Sequence, residues 1–309
     1  MATRQIPFTV ALRQPVLGVT SRAGWLIEGD AGWAEWSPLP SWSREENVAA
    51  YRGALEAADQ PFPEPVVSPV EINTMIPRVA PQLAARMAVI SGCATVKVKV
   101  GDPDGEARVR AVREAVGPRV RIRVDANGAW ALDEAVGALA RLAAWGIELV
   151  EDPVTGLRDL AALRRRSPVP VAAEMAIRCM EDVVEMRRLD AADVLVVKPQ
   201  RIGGIAAALH AAELAAGVPV VVSSALETSV GLAACLAVAA ALPGSRYAHG
   251  IGTAPLLAED VTANPLRPVG GSSSPAASSP TCCSSAARDR PRQPDGRRHR
   301  SRLHGPIRR

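Results

Sequence analysis

The chain has 309 residues, 48% hydrophobic and 22% charged, enough to bury the core of a barrel-sized domain with a smaller one beside it. No apolar run reaches membrane-spanning length, and the opening Met-Ala-Thr-Arg-Gln-Ile has no apolar stretch behind a basic region, so neither a membrane partner nor a secretory leader is expected. The formal net charge of +4 misleads, because nine Arg and only two Asp lie from Arg288 onward; the body is mildly acidic, at about −3, which excludes a basic face for specific nucleic-acid binding. Five cysteines (Cys93, Cys179, Cys235, Cys282, Cys283) show no metal-ligand spacing and suit a reducing cytoplasm.

Residues 6–12 and 25–36 alternate like strands, helical periodicity covers about 44–58, and the Pro-rich Gln60-Pro-Phe-Pro-Glu-Pro-Val follows. A small α+β domain is therefore expected over residues 1–68. From Val70 onward strands and helices alternate. Strand-like pieces fall near 70–76, 94–100, 120–125, 147–151, 169–174, 193–198, 218–224 and 247–251. Helical pieces lie near 80–91, 103–116, 132–145, 157–166, 180–189, 203–216 and 229–242. Eight strands with seven intervening helices predict a (β/α)7β TIM-like barrel over 69–268, in preference to a doubly wound open sheet. After Pro268 the composition turns to Ser, Pro, Ala and Arg without hydrophobic periodicity. Residues 269–309 are expected to be a disordered tail, the bland product of a reading-frame change or else a weak polyanion binder.

Five strand ends carry charge: Lys99, Asp125, Glu151, Glu174 and Lys198, spaced 26, 26, 23 and 24 residues apart. That interval is one strand, one helix and two loops, so in a closed barrel all five open on one face. Three carboxylates between two amines make a candidate metal site flanked by bases. Asp125, Glu151 and Glu174 offer hard oxygens that suit Mg²⁺, and the absence of His from these segments argues against zinc. Taken singly, such an acid caps a helix or forms a salt bridge; three at successive strand ends are harder to explain that way. Lys97 and Lys99 are two apart on a strand, so both point into the mouth, and each disfavours the other's protonation. Gly203-Gly204 lacks dinucleotide spacing and reads as a tight turn, and His210 as a surface or packing residue.

The order Lys97-Val-Lys99, Asp125-Ala-Asn127, Val150-Glu-Asp-Pro153, Glu174 after Pro-Val-Ala-Ala, and Val197-Lys-Pro-Gln200 resembles the enolase superfamily, and more closely its muconate-lactonising-enzyme-like branch. Within that branch the chain is similar to the actinobacterial o-succinylbenzoate synthase family. That similarity rests on Ile122-Arg-Val-Asp-Ala-Asn-Gly-Ala-Trp130, the segment 219–231 and the segment 250–260, and it covers about residues 6–268. The resemblance implies Mg²⁺ held by Asp125, Glu151 and Glu174, catalysis by Lys99 and Lys198, tuning of Lys99 by Lys97, and Asn127 behind the ligands. It makes the N-terminal domain a cap over the barrel mouth. Arg22 would lie in the mobile loop of that cap, either meeting a substrate carboxylate or simply solvated. Ser223 and Ser224 would line the substrate pocket or cap the backbone. The family usually has Asp-Glu-Ser where this chain has Glu174-Met175-Ala176, which puts fine tuning in doubt. The implied reaction is loss of water from a small carboxylate after proton abstraction, in menaquinone biosynthesis. An N-acylamino acid racemase or dipeptide epimerase, and a non-catalytic binding scaffold, remain the alternatives; the oligomeric state is not written in the sequence.

Overall fold

A computed structural model of the chain describes residues 4–267 and 271–273. Strands β1 (Arg4–Val16), β2 (Val19–Gly29) and β3 (Gly32–Trp36) form an antiparallel sheet in that order, followed by helix α1 (Arg44–Asp59). The first two strands are one long hairpin turning at Leu17 and Gly18, both left-handed. The sequence reading saw strand character only at 6–12 and 25–36, because Thr20-Ser-Arg-Ala-Gly24 offers no apolar alternation. Helix α1 begins with a reciprocal cap: Glu46 N donates to Ser43 Oγ at 3.2 Å, and Ser43 N donates to the Glu46 carboxylate at 2.7 Å.

The alternating units follow as β4 (Val70–Ile76), α2 (Pro81–Ser91), β5 (Thr95–Lys99), α3 (Gly105–Val116), β6 (Arg121–Asp125), α4 (Leu132–Ala143), β7 (Ile147–Glu151) and α5 (Leu157–Arg164). They continue through β8 (Val171–Ala173), α6 (Met180–Leu189), β9 (Val194–Val197), α7 (Pro199–Ile202), α8 (Ile205–Leu214), β10 (Val220–Val222), α9 (Ser229–Ala241) and β11 (His249–Gly252). The eight strands pair in parallel in the order β10-β9-β8-β7-β6-β5-β4-β11, and a bridge between Ser223 and Gly250 joins the two ends. The expected barrel is therefore present. Its strands are buried on both faces, which is why they read as continuous Val-rich runs. The short α7 is additional: Pro199 starts it, and Gly203, with φ of +111°, ends it.

Helix α1 seats on the start of α8 through two glycines. A Cβ on Gly53 would lie 2.5 Å from both Cα and N of Gly204, so the backbones touch there with no room for a side chain.

The tail expectation needs one correction. Strand β12 (Ser272–Ser273) pairs antiparallel with Val70 and Glu71, and Ile72 N donates to the Gly271 carbonyl at 2.9 Å. The start of β4 runs beyond its two barrel partners, which leaves its backbone groups available. Pairing through backbone alone needs none of the apolar side chains whose absence marked this segment. The remainder of 269–309 lies outside the described residues. Among the described residues no helix is long and apolar enough to cross a membrane.

Candidate active site

The parallel register builds the site. Lys99 pairs with Asp125 across β5 and β6, and Asp125 with Glu151 across β6 and β7, so three charged residues stand in one row at the strand ends. Glu174 follows β8 directly, and Lys198 follows β9. Since β5 and β9 are four places apart in an eight-strand ring, Lys99 and Lys198 enter from opposite sides. Both line one solvent-open cavity of about 550 Å³, together with Lys97 and Glu174. Ser223, Ser224 and Thr253 supply hydroxyls to its wall, while Leu17, Val19, Leu39 and Met75 supply an apolar one.

Each expected ligand meets a lysine. Lys97 Nζ donates to Glu151 at 2.8 Å and lies 3.4 Å from Asp125; Lys99 Nζ donates to Asp125 at 2.6 Å and to Asn127 Oδ1 at 2.9 Å; Lys198 Nζ donates to Glu174 at 2.6 Å. Among the described residues, no three acidic, His or Cys side chains converge on a point as they stand. The donor set nevertheless fits a hard divalent cation: three buried carboxylates on adjacent strand ends, with no imidazole or thiolate beside them.

The lysines differ electrostatically. Burial works against the charge on Lys97, but Glu151 and then Asp125 outweigh it, and its pKa is raised. For Lys99 burial is the largest influence and lowers the pKa; Asp125 opposes it, while Lys97 and Lys198 add to the lowering. Lys97 thus stays an ammonium beside a more easily deprotonated Lys99. Burial pushes Asp125 and Glu174 upward, yet the lysines outweigh it and lower both from their ordinary values.

Asn127 adopts φ of +52°, a left-handed backbone that Asn tolerates, and its N–H donates to Asp125 Oδ1 at 3.0 Å. It therefore holds both members of the Lys99–Asp125 pair. Asp152 was missed as a site residue. Its buried carboxylate accepts from Glu174 N at 2.9 Å and Met175 N at 3.0 Å, fixing the start of the loop after β8. Burial, and then the Glu174 and Asp125 charges, push its pKa well up. The only signal for it was its place directly after Glu151. Met175 is held through its N–H, and the residue is 40% exposed.

Arg22 is not where the sequence reading put it. It lies on β2 rather than in the turn, is 1% exposed, and donates to the Leu226 and Ser37 carbonyls instead of lining the cavity. The mouth is reached instead by the turn residue Leu17. The long hairpin carries Arg22 inward beneath the cavity wall. Ser223 and Ser224 do line the cavity, and the Ser224 and Thr253 hydroxyls are hydrogen-bonded at 2.8 Å. Gly203 and Gly204 form the turn into α8, and His210 is exposed beside Glu213.

A TIM-type barrel with acids and lysines at successive strand ends, under an N-terminal sheet-and-helix cap, defines a class. The chain belongs to the enolase superfamily: residues 80–278 match the enolase C-terminal domain-like family and residues 6–58 the enolase N-terminal domain-like family. It is 47% identical over 269 residues to the o-succinylbenzoate synthase of Thermobifida fusca (strain YX), covering 85% of this chain and 84% of that one. Among solved structures it is similar to the L-Ala-D/L-Glu epimerase of Bacillus subtilis (TM-score 0.76, 22% identity, 88% of this chain and 94% of that one). The muconate lactonizing enzyme of Pseudomonas putida is likewise similar (TM-score 0.73, 18% identity, 89% and 94%). These two likenesses carry the fold. Members of the superfamily generally use Mg²⁺.

Proposed function

We propose that the chain is a Mg²⁺-dependent hydro-lyase that forms o-succinylbenzoate from 2-succinyl-6-hydroxycyclohexa-2,4-diene-1-carboxylate, a step of menaquinone biosynthesis. The observation that carries this reading is that Lys99 and Lys198 line one cavity from opposite sides with Glu174, while Asp125 and Glu151, buried behind the lining, are hydrogen-bonded to Lys99 and Lys97. The near-half identity to the T. fusca synthase over most of both chains supports the substrate. A cytoplasmic setting fits as well, since free Cys93, Cys179 and Cys235 suit a reducing compartment.

Asp125, Glu151 and Glu174 would hold the Mg²⁺. Bound there, it would supply Lewis-acid stabilisation, worth several kcal/mol, for the negative charge that develops on the substrate carboxylate. Lys99, with its lowered pKa, takes the proton from the carbon bearing that carboxylate. The electron pair left on carbon forms the new ring double bond as the C–O bond at the hydroxyl-bearing carbon breaks. The same ammonium returns the proton to the departing oxygen, so water leaves on the face where the proton was removed. Lys198 lies on the other face, where its amine, hydrogen-bonded to Glu174, would stabilise the anionic ring. Lys97 keeps Lys99 from holding its proton too tightly, and Asn127 fixes the Lys99 amine in place. The product ring is aromatic, which drives the elimination.

A racemase needs the same pair of lysines on opposite faces, so proton exchange must be tested alongside turnover. The purified chain with Mg²⁺ should convert the cyclohexadiene to the aromatic product, read by its ultraviolet absorbance, and chelation should stop it. No aromatic product, with solvent deuterium entering N-succinyl amino acids instead, would replace the dehydratase reading by the racemase one.

A further inference from the structure

Behind the cavity wall lies a buried polar cluster that the mechanism does not use. It joins the N-terminal sheet to two loops of the barrel. Arg22 on β2 donates from Nε to the Leu226 carbonyl at 3.3 Å, and from an Nη to the Ser37 carbonyl and, at 3.0 Å, to Ser37 Oγ. Glu35 on β3 accepts from Ser37 Oγ at 2.5 Å, from Thr228 N at 3.0 Å, from Gly231 N at 3.1 Å and from the Thr228 hydroxyl. Its carboxylate thus sits at the amino end of α9, where unpaired N–H groups favour an anion. Glu227, also buried, accepts from Ala225 N at 2.5 Å. The other barrel loop is tied in through Ser37 N, which donates to Gln200 Oε1 at 3.0 Å, two residues beyond Lys198.

Leu226 is where this cluster meets the cavity. Its φ of +66° is a left-handed backbone that a Leu adopts only when its surroundings impose it. The carbonyl is held by Arg22, while the side chain lines the cavity and packs against Val10, Val16 and Met75. A peptide held at both ends in this way puts the wall formed by Ser223, Ser224 and Leu226 in a single position. We infer that Arg22 and Glu35 are positioning residues, which clamp the N-terminal sheet to the 223–228 loop and so set the wall that selects among small carboxylate substrates. Neither touches the cavity, so their influence on the reaction passes through Leu226 and Thr228.

This inference rests on the function proposed above for its kinetic readout. Arg22→Met, Arg22→Lys and Glu35→Gln are compared with the wild type in steady-state turnover, Mg²⁺ titration and amide hydrogen exchange. Loss of a buried charge-assisted bond predicts KM raised by roughly ten- to a hundredfold for Arg22→Met, with kcat within about threefold. Faster exchange is expected over 223–228 and not over β5 to β8, with Mg²⁺ affinity unchanged and partial rescue by Arg22→Lys. Should Arg22→Met fail to fold, Glu35→Gln, which keeps the shape and one acceptor, is read by the same measurements. Wild-type exchange over 223–228 in a folded variant, or a fall in kcat with KM unchanged, would overturn the clamp. If the wild type does not turn over the cyclohexadiene, the functional reading fails, and the exchange measurement still decides the clamp.

Discussion

Lys99 and Asp125 are directly paired across two neighbouring barrel strands, and their side chains meet with 2.6 Å between Nζ and Oδ2. One residue is the proposed base and the other a proposed metal ligand. The position of the proton acceptor is therefore tied to the floor of the metal site through one rung of the sheet. Asn127 closes the arrangement by donating to Asp125 and accepting from Lys99.

Lys99→Ala is expected to lower kcat by ~10²–10⁴-fold, the usual contribution of a positioned general base. The Mg²⁺ affinity and thermal midpoint should stay close to wild type, because the strand register does not depend on the amine. Steady-state kinetics beside a metal titration checks this. Activity within tenfold of wild type would remove Lys99 from the base role.

Glu174 tests the metal assignment. Glu174→Gln should weaken Mg²⁺ binding, and Glu174→Asp should retain part of it, since the carboxylate survives one methylene shorter. Isothermal titration on the folded variants is the measurement. An unaltered isotherm for the Gln variant would exclude Glu174 as a ligand.

Two buried groups should bend the pH dependence of stability in opposite directions. Burial, then the Glu227 charge, push Glu35 from 4.5 up to about 7 against hydrogen bonds from Ser37 and Thr228. The unfolded chain releases that proton first, so stability is lost as pH rises from 4.5 to 7. His249 accepts from Val222 N at 3.0 Å, and burial, with Arg123 nearby, lowers it from 6.5 to about 4. Here the unfolded chain takes up the proton first, so stability is lost as pH falls from 6.5 to 4. Each effect is on the order of 3 kcal/mol over its window. Urea unfolding from pH 4 to 7.5 should show the first slope vanish in Glu35→Gln and the second in His249→Asn. Difference curves parallel to wild type would sink both assignments.

Gly53→Ala drives a methyl into the Gly204 backbone, 2.5 Å away. Overpacking at such a contact is expected to cost about 1–3 kcal/mol and to loosen the N-terminal unit from the barrel. Chemical denaturation, with hydrogen exchange in α1, reports both. A neutral substitution would mean that the two backbones can separate freely.

Truncation after Arg267 removes both the Gly271–Ile72 hydrogen bond and β12; truncation after Ser273 keeps them. The first is expected to be less stable than the second by about 1 kcal/mol or somewhat more, the net value of a hydrogen bond or two. Equal thermal midpoints for the two truncations would show that the short strand contributes nothing.

The five strand-end charges were legible in the sequence because a barrel repeats one strand and one helix per unit, and a period of 23 to 26 residues survives in one dimension. The alternation of Val-rich runs with helices likewise determined the barrel, since parallel strands covered on both faces must be apolar throughout. Other features depended on contacts between segments far apart in the chain. Asp152 looks like an ordinary loop acid until its carboxylate is seen to hold two N–H groups of the next strand end. Arg22 reads as a loop cation until the hairpin carries it beneath Leu226, 204 residues away. Residues 271–273 lack any side-chain signal, because what they share with β4 is backbone hydrogen bonding. Periodicity records which way a side chain points within its own element; which distant group it meets is decided only when the elements pack.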